Sequence, residues 1–510
     1  MRQSGTYDLL IVGGGINGAG IARDAAGRGL SVVLCEQDDL AAHTSSASTK
    51  LIHGGLRYLE YLQLSLVRKA LIEREILLNS APHLMRPLRF ILPHDAHLRP
   101  AWMIRAGLFL YDHLARRRRL PGSAGIDLRH HVAGAALKPN YVRGFVYSDG
   151  WTDDARLVVL NALDARERGA VVLTRTRCEQ LEAARGQWVA TLSGASGPIR
   201  IEAKAVVNAT GPWVSRFTRE ASPVSVCHSI RLVKGSHIVV PRIFTHRFAY
   251  LFQNEDHRIV FAIPYEREFT LIGTTDVEYA GDPAAVHIDS GEIDYLCAAV
   301  SRYFAQTVRP QDVVWSYSGV RPLLDDEEAD PASVTRDYAL ELDQHPAPLL
   351  TVFGGKITTY RKLAESAVDI LARHIGSRAP AWTAHALLPG GDLPRGAYAG
   401  FLRSLERAHP WLPAMLRYRY AHAYGTRIAH ILGEARSVAD LGEELLPQLY
   451  EREADYLCRV EMAQTAEDIL WRRTRLGLHV GRDGRKQRLE DWLARRASHA
   501  PGPQSRLLNA

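Results

Sequence analysis

The stretch Tyr7-Asp8-Leu9-Leu10-Ile11-Val12-Gly13-Gly14-Gly15-Ile16-Asn17-Gly18 constrains the fold of this chain more than any other. A short apolar strand runs straight into G-x-G-x-x-G. Such a turn brings the backbone close to a pyrophosphate and aims a helix N-terminus at it. Gly13 allows the tight turn, Gly15 leaves room for phosphates, and Gly18 lets a helix over residues 16–29 pack close to a sheet. Gly14 and Asn17 complete the turn. Residues 31–36 read as a second, β-branched strand ending in Glu36, about 20 residues past the glycines as the dinucleotide fingerprint requires. An acid there can accept hydrogen bonds from a ribose diol and disfavours a 2′-phosphate.

The fingerprint alone does not separate FAD from NAD. Its place near residue 1 helps, because much chain follows that must return to the same sheet. Residues 206–213 read as a late strand ending in Ala209-Thr210-Gly211, small enough to pass beside an adenosine. The apolar run 349–353 leads into Gly354-Gly355-Lys356-Ile357-Thr358, another strand and glycine turn. Free backbone N–H groups there, with the Thr358 hydroxyl, could face a phosphate or the edge of a flavin ring. The hydroxyls of Thr44, Ser45, Ser46 and Ser48 could donate to cofactor phosphates. Gly54 and Gly55 permit close approach to a flat ring, with Arg57 and Tyr58 beside it.

These returns predict an α/β, two-lobed, FAD-binding Rossmann-like flavoprotein. A mixed or antiparallel sheet, expected mainly over 225–316, would roof the flavin, and an all-helical domain would close the chain. The expected limits are 1–75, 145–222 and 317–388 for the FAD-binding domain, 76–144 and 223–316 for the substrate domain, and 389–510 for the helical domain. Within the last, the charged run 467–475 reads as a solvated helix face.

With 510 residues, 46% hydrophobic and 23% charged, the chain has ordinary globular composition and can bury large cores. Its 5 cysteines are scattered without a C-x-x-C pair, which argues against disulfides, iron–sulfur clusters or structural zinc, so no metal is expected. The first strand begins by Tyr7, leaving no room for a signal peptide, and no apolar run is long enough to span a bilayer. A cytoplasmic or membrane-peripheral protein is expected. A net charge of +7 suits an anionic substrate, an anionic lipid surface or nucleic acid. Residues 102–119 hold an apolar helix followed by Arg116-Arg117-Arg118-Arg119. It reads either as a helix lying on an anionic bilayer or as a buried helix with a solvated end.

Short motifs at expected strand ends carry polar and cationic groups: Lys234-Gly235-Ser236-His237, Gly273-Thr274-Thr275-Asp276, Ser318-Gly319-Val320-Arg321 and Thr335-Arg336-Asp337-Tyr338. With Arg57 and Lys356 they supply cations that could converge on a phosphate or carboxylate.

Taken together, these stretches resemble the FAD-dependent, quinone-linked glycerol-3-phosphate dehydrogenases of the bacterial aerobic type. The resemblance covers essentially the whole chain. Its most specific parts are the run from Ser45 to Glu60 and Gly354 to Arg361. It implies oxidation of sn-glycerol 3-phosphate to dihydroxyacetone phosphate, with hydride passing from C2 to FAD N5 and electrons then to membrane quinone. It also implies a dimeric, peripheral enzyme on the inner face of the cytoplasmic membrane. Substrate contacts carry over to Arg57, Tyr58, Thr275 and Arg336, and catalytic contacts to His237, Arg321 and Lys356. His237 is the expected proton acceptor and Lys356 its rival. Open alternatives are an oxidase of the same fold that reduces O₂, a related oxidase of hydroxy acids or amines, and a flavin-bearing nucleic-acid-binding module.

Overall fold

A computed structural model describes residues 6–95, 97–195, 197–224, 230–324, 337–394, 398–480 and 485–499. The strand β1 (Tyr7–Val12) is wholly apolar at its end and leads directly into helix α1 (Ile16–Gly27) and strand β2 (Val32–Cys35). These three elements nucleate a sheet of eight strands. Its central order is Ala339–Asp343, Leu349–Phe353, Gly197–Asn208, β1, β2 and Val171–Leu173. The inner strands are parallel: Leu10 faces Val206 on one side and Val33 on the other, and Val207 faces Leu350. Parallel strands covered on both faces should be continuous apolar runs, and Leu9, Leu10, Ile11, Val206 and Val207 are all fully buried.

Helices Asp154–Glu167 and Tyr360–Ile375 flank α1 on one face of this sheet. Their alanines, leucines and valines merge with the isoleucines and alanines of α1 in one core. The expected late strand and the strand at 349–353 are therefore present, and in the parallel order that returns the chain to β1.

A second sheet, of ten strands, forms the other lobe. Strands Ile230–Pro241, Phe269–Gly273, Ile259–Tyr265 and Ala249–Gln253 are antiparallel neighbours within it. It differs from the expected limits in two places. Arg143–Thr152 pairs with Met85–Pro93, and Trp315–Leu324 pairs with Ile230–Pro241 along ten residue pairs. Segments 145–152 and 317–324 thus join the second sheet. Alternation cannot reveal this: Arg143–Thr152 is buried along nearly its whole length, and Trp315–Leu324 is half-buried on most of both faces. Helix Ser290–Ser301 covers one face of this sheet and was absent from the sequence reading.

The described residues from Tyr398 to His499 are mainly helical with their own core, plus a short ribbon of Glu444–Leu446 and Leu449–Tyr450. Helix Ala101–His113 falls between its two expected readings. Leu108 and Tyr111 are buried against the second sheet, whereas Trp102 is 70% and Phe109 56% exposed.

Candidate functional site

A cleft of about 430 Å³ opens at the ends of the parallel strands. It is lined by Gly13, Gly15, Asn17, Glu36, Thr44, Ser45, Ala209, Thr210, Gly211, Gly354 and Gly355, among others. Ligands of open α/β sheets bind outside the carboxyl ends of the strands, at this position. The glycine turn is sterically obligatory: a Cβ on Gly18 would lie 1.9 Å from the Gly13 carbonyl oxygen. Gly14 N–H donates to Glu36 Oε2 at 2.6 Å and Asp38 N–H to Oε1 at 2.8 Å, so the turn and the acid form one unit. Burial pushes the Glu36 carboxyl up from its ordinary pKa, against the lowering effect of those two donors. Asn17 donates to the Gly354 carbonyl at 3.1 Å, while its Oδ1 is buried with no partner.

The hydroxyl loop closes over the start of α1. Ser45 Oγ accepts from Ile16 N–H at 3.0 Å. The other hydroxyls are committed elsewhere: Thr44 donates to Val320 O, Ser46 to His43 O, and Ser48 to Asp154 at 2.8 Å. Ser46 and Ser48 therefore turn inward to protein partners rather than lining the cleft. Thr358 Oγ1 accepts from His53 N–H at 3.2 Å, and Gly54 N–H donates to Tyr111 OH at 2.8 Å. A buried pair, Arg74 and Asp149, holds that tyrosine from below. Gly55 has φ of +74°, and an added Cβ would strike the Tyr58 ring at 2.3 Å. The Lys356 ammonium lies 4.1 Å from the centroid of the same ring. The glycine pair, Tyr58 and Lys356 are thus one assembly.

The strands of the second sheet gather the remaining groups. His237 faces Gly273 on one side and Tyr317 on the other. Its ring stacks on Tyr317 with centroids 4.8 Å apart, and its Nε2 is 2.9 Å from Thr49 Oγ1. A side chain on Gly273 would place Cβ 2.1 Å from the imidazole, and one on Gly235 would place it 2.1 Å from the Arg321 guanidinium. Glycine at both positions makes room for the two functional groups. Arg321 pairs with Asp276 and donates to Thr274 Oγ1 at 2.9 Å. His237 is 1% exposed, with Nδ1 lacking a partner. Burial above all, then Lys50 and Arg321, holds its pKa well below that of a free imidazole, so the ring is neutral. Thr275, expected at the substrate, is also 1% exposed. Its hydroxyl accepts from Ser236 N–H and donates to Glu292 at 2.7 Å, so it braces the strand junction. Arg57 is half-buried. Arg336 lies outside the described residues.

Comparison with known proteins bears on this geometry. Residues 8–361 match the family model described as FAD dependent oxidoreductase, and residues 381–488 match the C-terminal domain of alpha-glycerophosphate oxidase. The chain belongs to the FAD dependent oxidoreductase family. It is 54% identical to a glycerol-3-phosphate dehydrogenase of Pseudomonas aeruginosa, over 97% of this chain and 96% of that one. It is 51% identical to the aerobic glycerol-3-phosphate dehydrogenase of Escherichia coli, over 96% and 97%. A D-erythritol 1-phosphate dehydrogenase of Brucella abortus is 49% identical over 94% of this chain and 96% of its own length. A solved glycerol-3-phosphate dehydrogenase from Bacillus halodurans, complexed with FAD, superposes with a TM-score of 0.79 at 30% identity, covering 99% of this chain and 94% of that one.

The cleft fits FAD on its own chemistry. It offers a helix N-terminus for a pyrophosphate, a carboxylate beside it, and the unpartnered Asn17 Oδ1.

The sequence reading missed the buried polar scaffold behind this oxidoreductase site. The run 467–475 is not a solvated face. Asp468 is 0%, Arg473 1% and Arg475 4% exposed. Arg473 grips Asp39 with two 2.8 Å bonds, and Arg472 donates to the same carboxylate at 2.6 Å. Arg475 donates to Asp153 at 3.0 Å and Asp154 at 2.6 Å. Lys50 Nζ, fully buried, donates to both Asp154 oxygens at 2.9 Å. Charged residues are rarely buried unless paired. The signal available was the apolar block Ile469-Leu470-Trp471 set between Asp468 and Arg472, which turns the segment inward; Trp471 stacks on Trp315 at 4.4 Å.

Proposed function

We propose that the chain oxidises sn-glycerol 3-phosphate to dihydroxyacetone phosphate and passes the electrons to membrane quinone. The observation that carries this reading is full-length likeness to two glycerol-3-phosphate dehydrogenases at more than half identity. Bound FAD supplies the hydride acceptor. Gly13, Gly14, Gly15, Asn17, Gly18, Glu36, Ser45, Ala209, Thr210, Gly211, Gly354 and Gly355 would hold it, with the loop 44–48 closing above. The two sheets would meet around its ring.

Arg57, Tyr58 and Arg336 clamp the phosphate and orient the substrate carbon. Arg321 and Lys356 offset negative charge as the C2 hydroxyl loses its proton. His237, neutral before substrate arrives, is the acceptor of that proton. A phosphate dianion nearby raises the basicity of the imidazole, since an opposite charge favours the charged form. Lys356 is the rival acceptor.

Among the described residues no helix is long and apolar enough to cross a membrane. Peripheral attachment at the inner face is proposed through helix Ala101–His113, whose exposed Trp102 and Phe109 lie beside the basic run 116–119. A homodimer is proposed on the resemblance alone.

The Brucella abortus relative favours a second reading, oxidation of a longer polyol phosphate. Steady-state rates with a dye acceptor separate the two. Glycerol 3-phosphate should exceed D-erythritol 1-phosphate in kcat/KM, and unphosphorylated glycerol should fall at least about a thousandfold below it, since a site built to grip a phosphate rejects an analogue that lacks it. A preference for the tetritol phosphate would transfer the assignment to it. Stoichiometric peroxide in air would make the enzyme an oxidase.

A further inference from the structure

The C-terminal segment reaches the reaction centre through a continuous chain of buried contacts. Asp468–Arg473 forms a wide turn of π-helix, closed by Thr474 N–H donating to the Ile469 carbonyl at 2.9 Å. Such turns recur at functional sites. The widened turn lets the adjacent Arg472 and Arg473 both reach Asp39. Arg475 then takes φ of +61°, which reverses its direction toward Asp154.

Asp154 is where the chain branches. Besides Arg475, its carboxylate accepts from Lys50 Nζ, Ser48 Oγ and Ser48 N–H. Ser48 and Lys50 flank Thr49, whose hydroxyl meets His237 Nε2. Tyr317 closes the same loop from the other side. Its hydroxyl donates to Ser48 O at 2.8 Å, its ring stacks on His237, and Lys50 Nζ lies 4.9 Å from its centroid. Two carboxylates, Asp153 and Asp154, face two cations, Lys50 and Arg475, with all four nearly excluded from solvent. Shortening Arg475 leaves Asp154 held by Lys50 and Ser48 without the guanidinium that also grips Asp153.

We propose that Arg475 is a positioning residue for the reaction: it fixes Asp154, Asp154 fixes residues 48–50, and Thr49 with Tyr317 then hold the His237 imidazole in one orientation. The C-terminal domain is accordingly part of the active site. The inference rests on the reading of His237 as a group at the reacting carbon.

The test uses holoenzyme carrying Arg475→Lys, Thr49→Val or both. Anaerobic mixing with glycerol 3-phosphate reads the rate of flavin bleaching. Each single variant should slow it about 10- to 100-fold, the scale of a misplacement near 1 Å. KM should change less than about threefold, because the phosphate clamp is untouched. The double variant should be no slower than the slower single, since both act on one contact. Hydrogen exchange across 46–56 should quicken in Arg475→Lys while helix Glu451–Arg459 keeps its protection. Asp153→Asn removes one negative charge facing Arg475 while its Oδ1 can still cap the helix; it should give a smaller effect of the same kind. Multiplicative slowing in the double variant, or unchanged exchange across 46–56, would overturn the proposal. A normal rate for Thr49→Val alone would overturn it too, because Thr49 is the last contact before His237; a normal rate for His237→Asn would instead overturn the role of His237 on which the inference rests.

Discussion

Two arginine-rich segments of similar composition meet opposite fates. Arg116-Arg117-Arg118-Arg119 stands at the end of a half-exposed helix, and Arg116, Arg118 and Arg119 are exposed. Arg472, Arg473 and Arg475 are buried or nearly so, each against a carboxylate from a distant part of the chain. The difference lies in what surrounds them. The first run follows a helix whose outward face carries Trp102 and Phe109; among the described residues only the Arg117 side chain of this run pairs with an acid, Asp112 at 3.1 Å, while Arg118 meets Glu75 through its backbone N–H. The second is interleaved with core residues and faces Asp39, Asp153 and Asp154. A cluster of cations is a solvated surface in one case and internal scaffolding in the other. Burial of the flanking apolar residues decides which: Ile469 and Leu470 are buried, Trp102 and Phe109 exposed.

Substitutions can break this contrast, and the largest effect belongs to Arg473. Arg473→Ala leaves Asp39 buried with half its partners gone and should cost about 3–5 kcal/mol, the usual loss when one member of a buried pair is removed. Denaturant unfolding checks it; a loss under about 1 kcal/mol would show the pair to be dispensable. Next comes the surface run. Replacing Arg116, Arg118 and Arg119 together by Gln should weaken binding to anionic vesicles by about 3 kcal/mol, at roughly 1 kcal/mol per charge, with unchanged stability. Equal flotation of wild type and variant would remove the membrane role of this face.

Asp468 offers a finer probe. Burial raises its pKa, but backbone N–H groups and the cations Arg175 and Arg472 outweigh that and pull it down to about 2. A carboxylate depressed in the folded state stabilises it above the unfolded pKa and stops doing so as pH falls through the folded value. Asp468→Asn should therefore cost about 2 kcal/mol at neutral pH, at 1.36 kcal/mol per unit, and the difference should vanish between about pH 4 and pH 2. Thermal melts at several pH values test this. A gap that persisted at pH 2 would contradict it. The smallest effect is expected from Arg119→Ala, within about 0.5 kcal/mol of wild-type stability.

Much of the nucleotide half could be read from the chain. The glycine turn, Glu36, the strand ending at Asn208 and the strand Leu349–Phe353 each announce themselves through local pattern, and parallel pairing joins them. Groups on the antiparallel sheet were found through glycine-flanked motifs; Gly235 and Gly273 mark them because Arg321 and His237 occupy the missing side-chain space. Long-range polar pairing was illegible. Arg473 and Asp39 are 434 residues apart, and nothing local to either names the other. The neutral state of His237 was equally hidden, since it follows from burial and from Lys50, a neighbour in space only.

The most direct test of the whole account is anaerobic titration of the yellow holoenzyme with glycerol 3-phosphate while flavin absorbance is recorded. Complete bleaching is the predicted result, with a rate that holds at pH values below the pKa of a free imidazole because His237 is still neutral there. Flavin that stays oxidised at saturating glycerol 3-phosphate would contradict it.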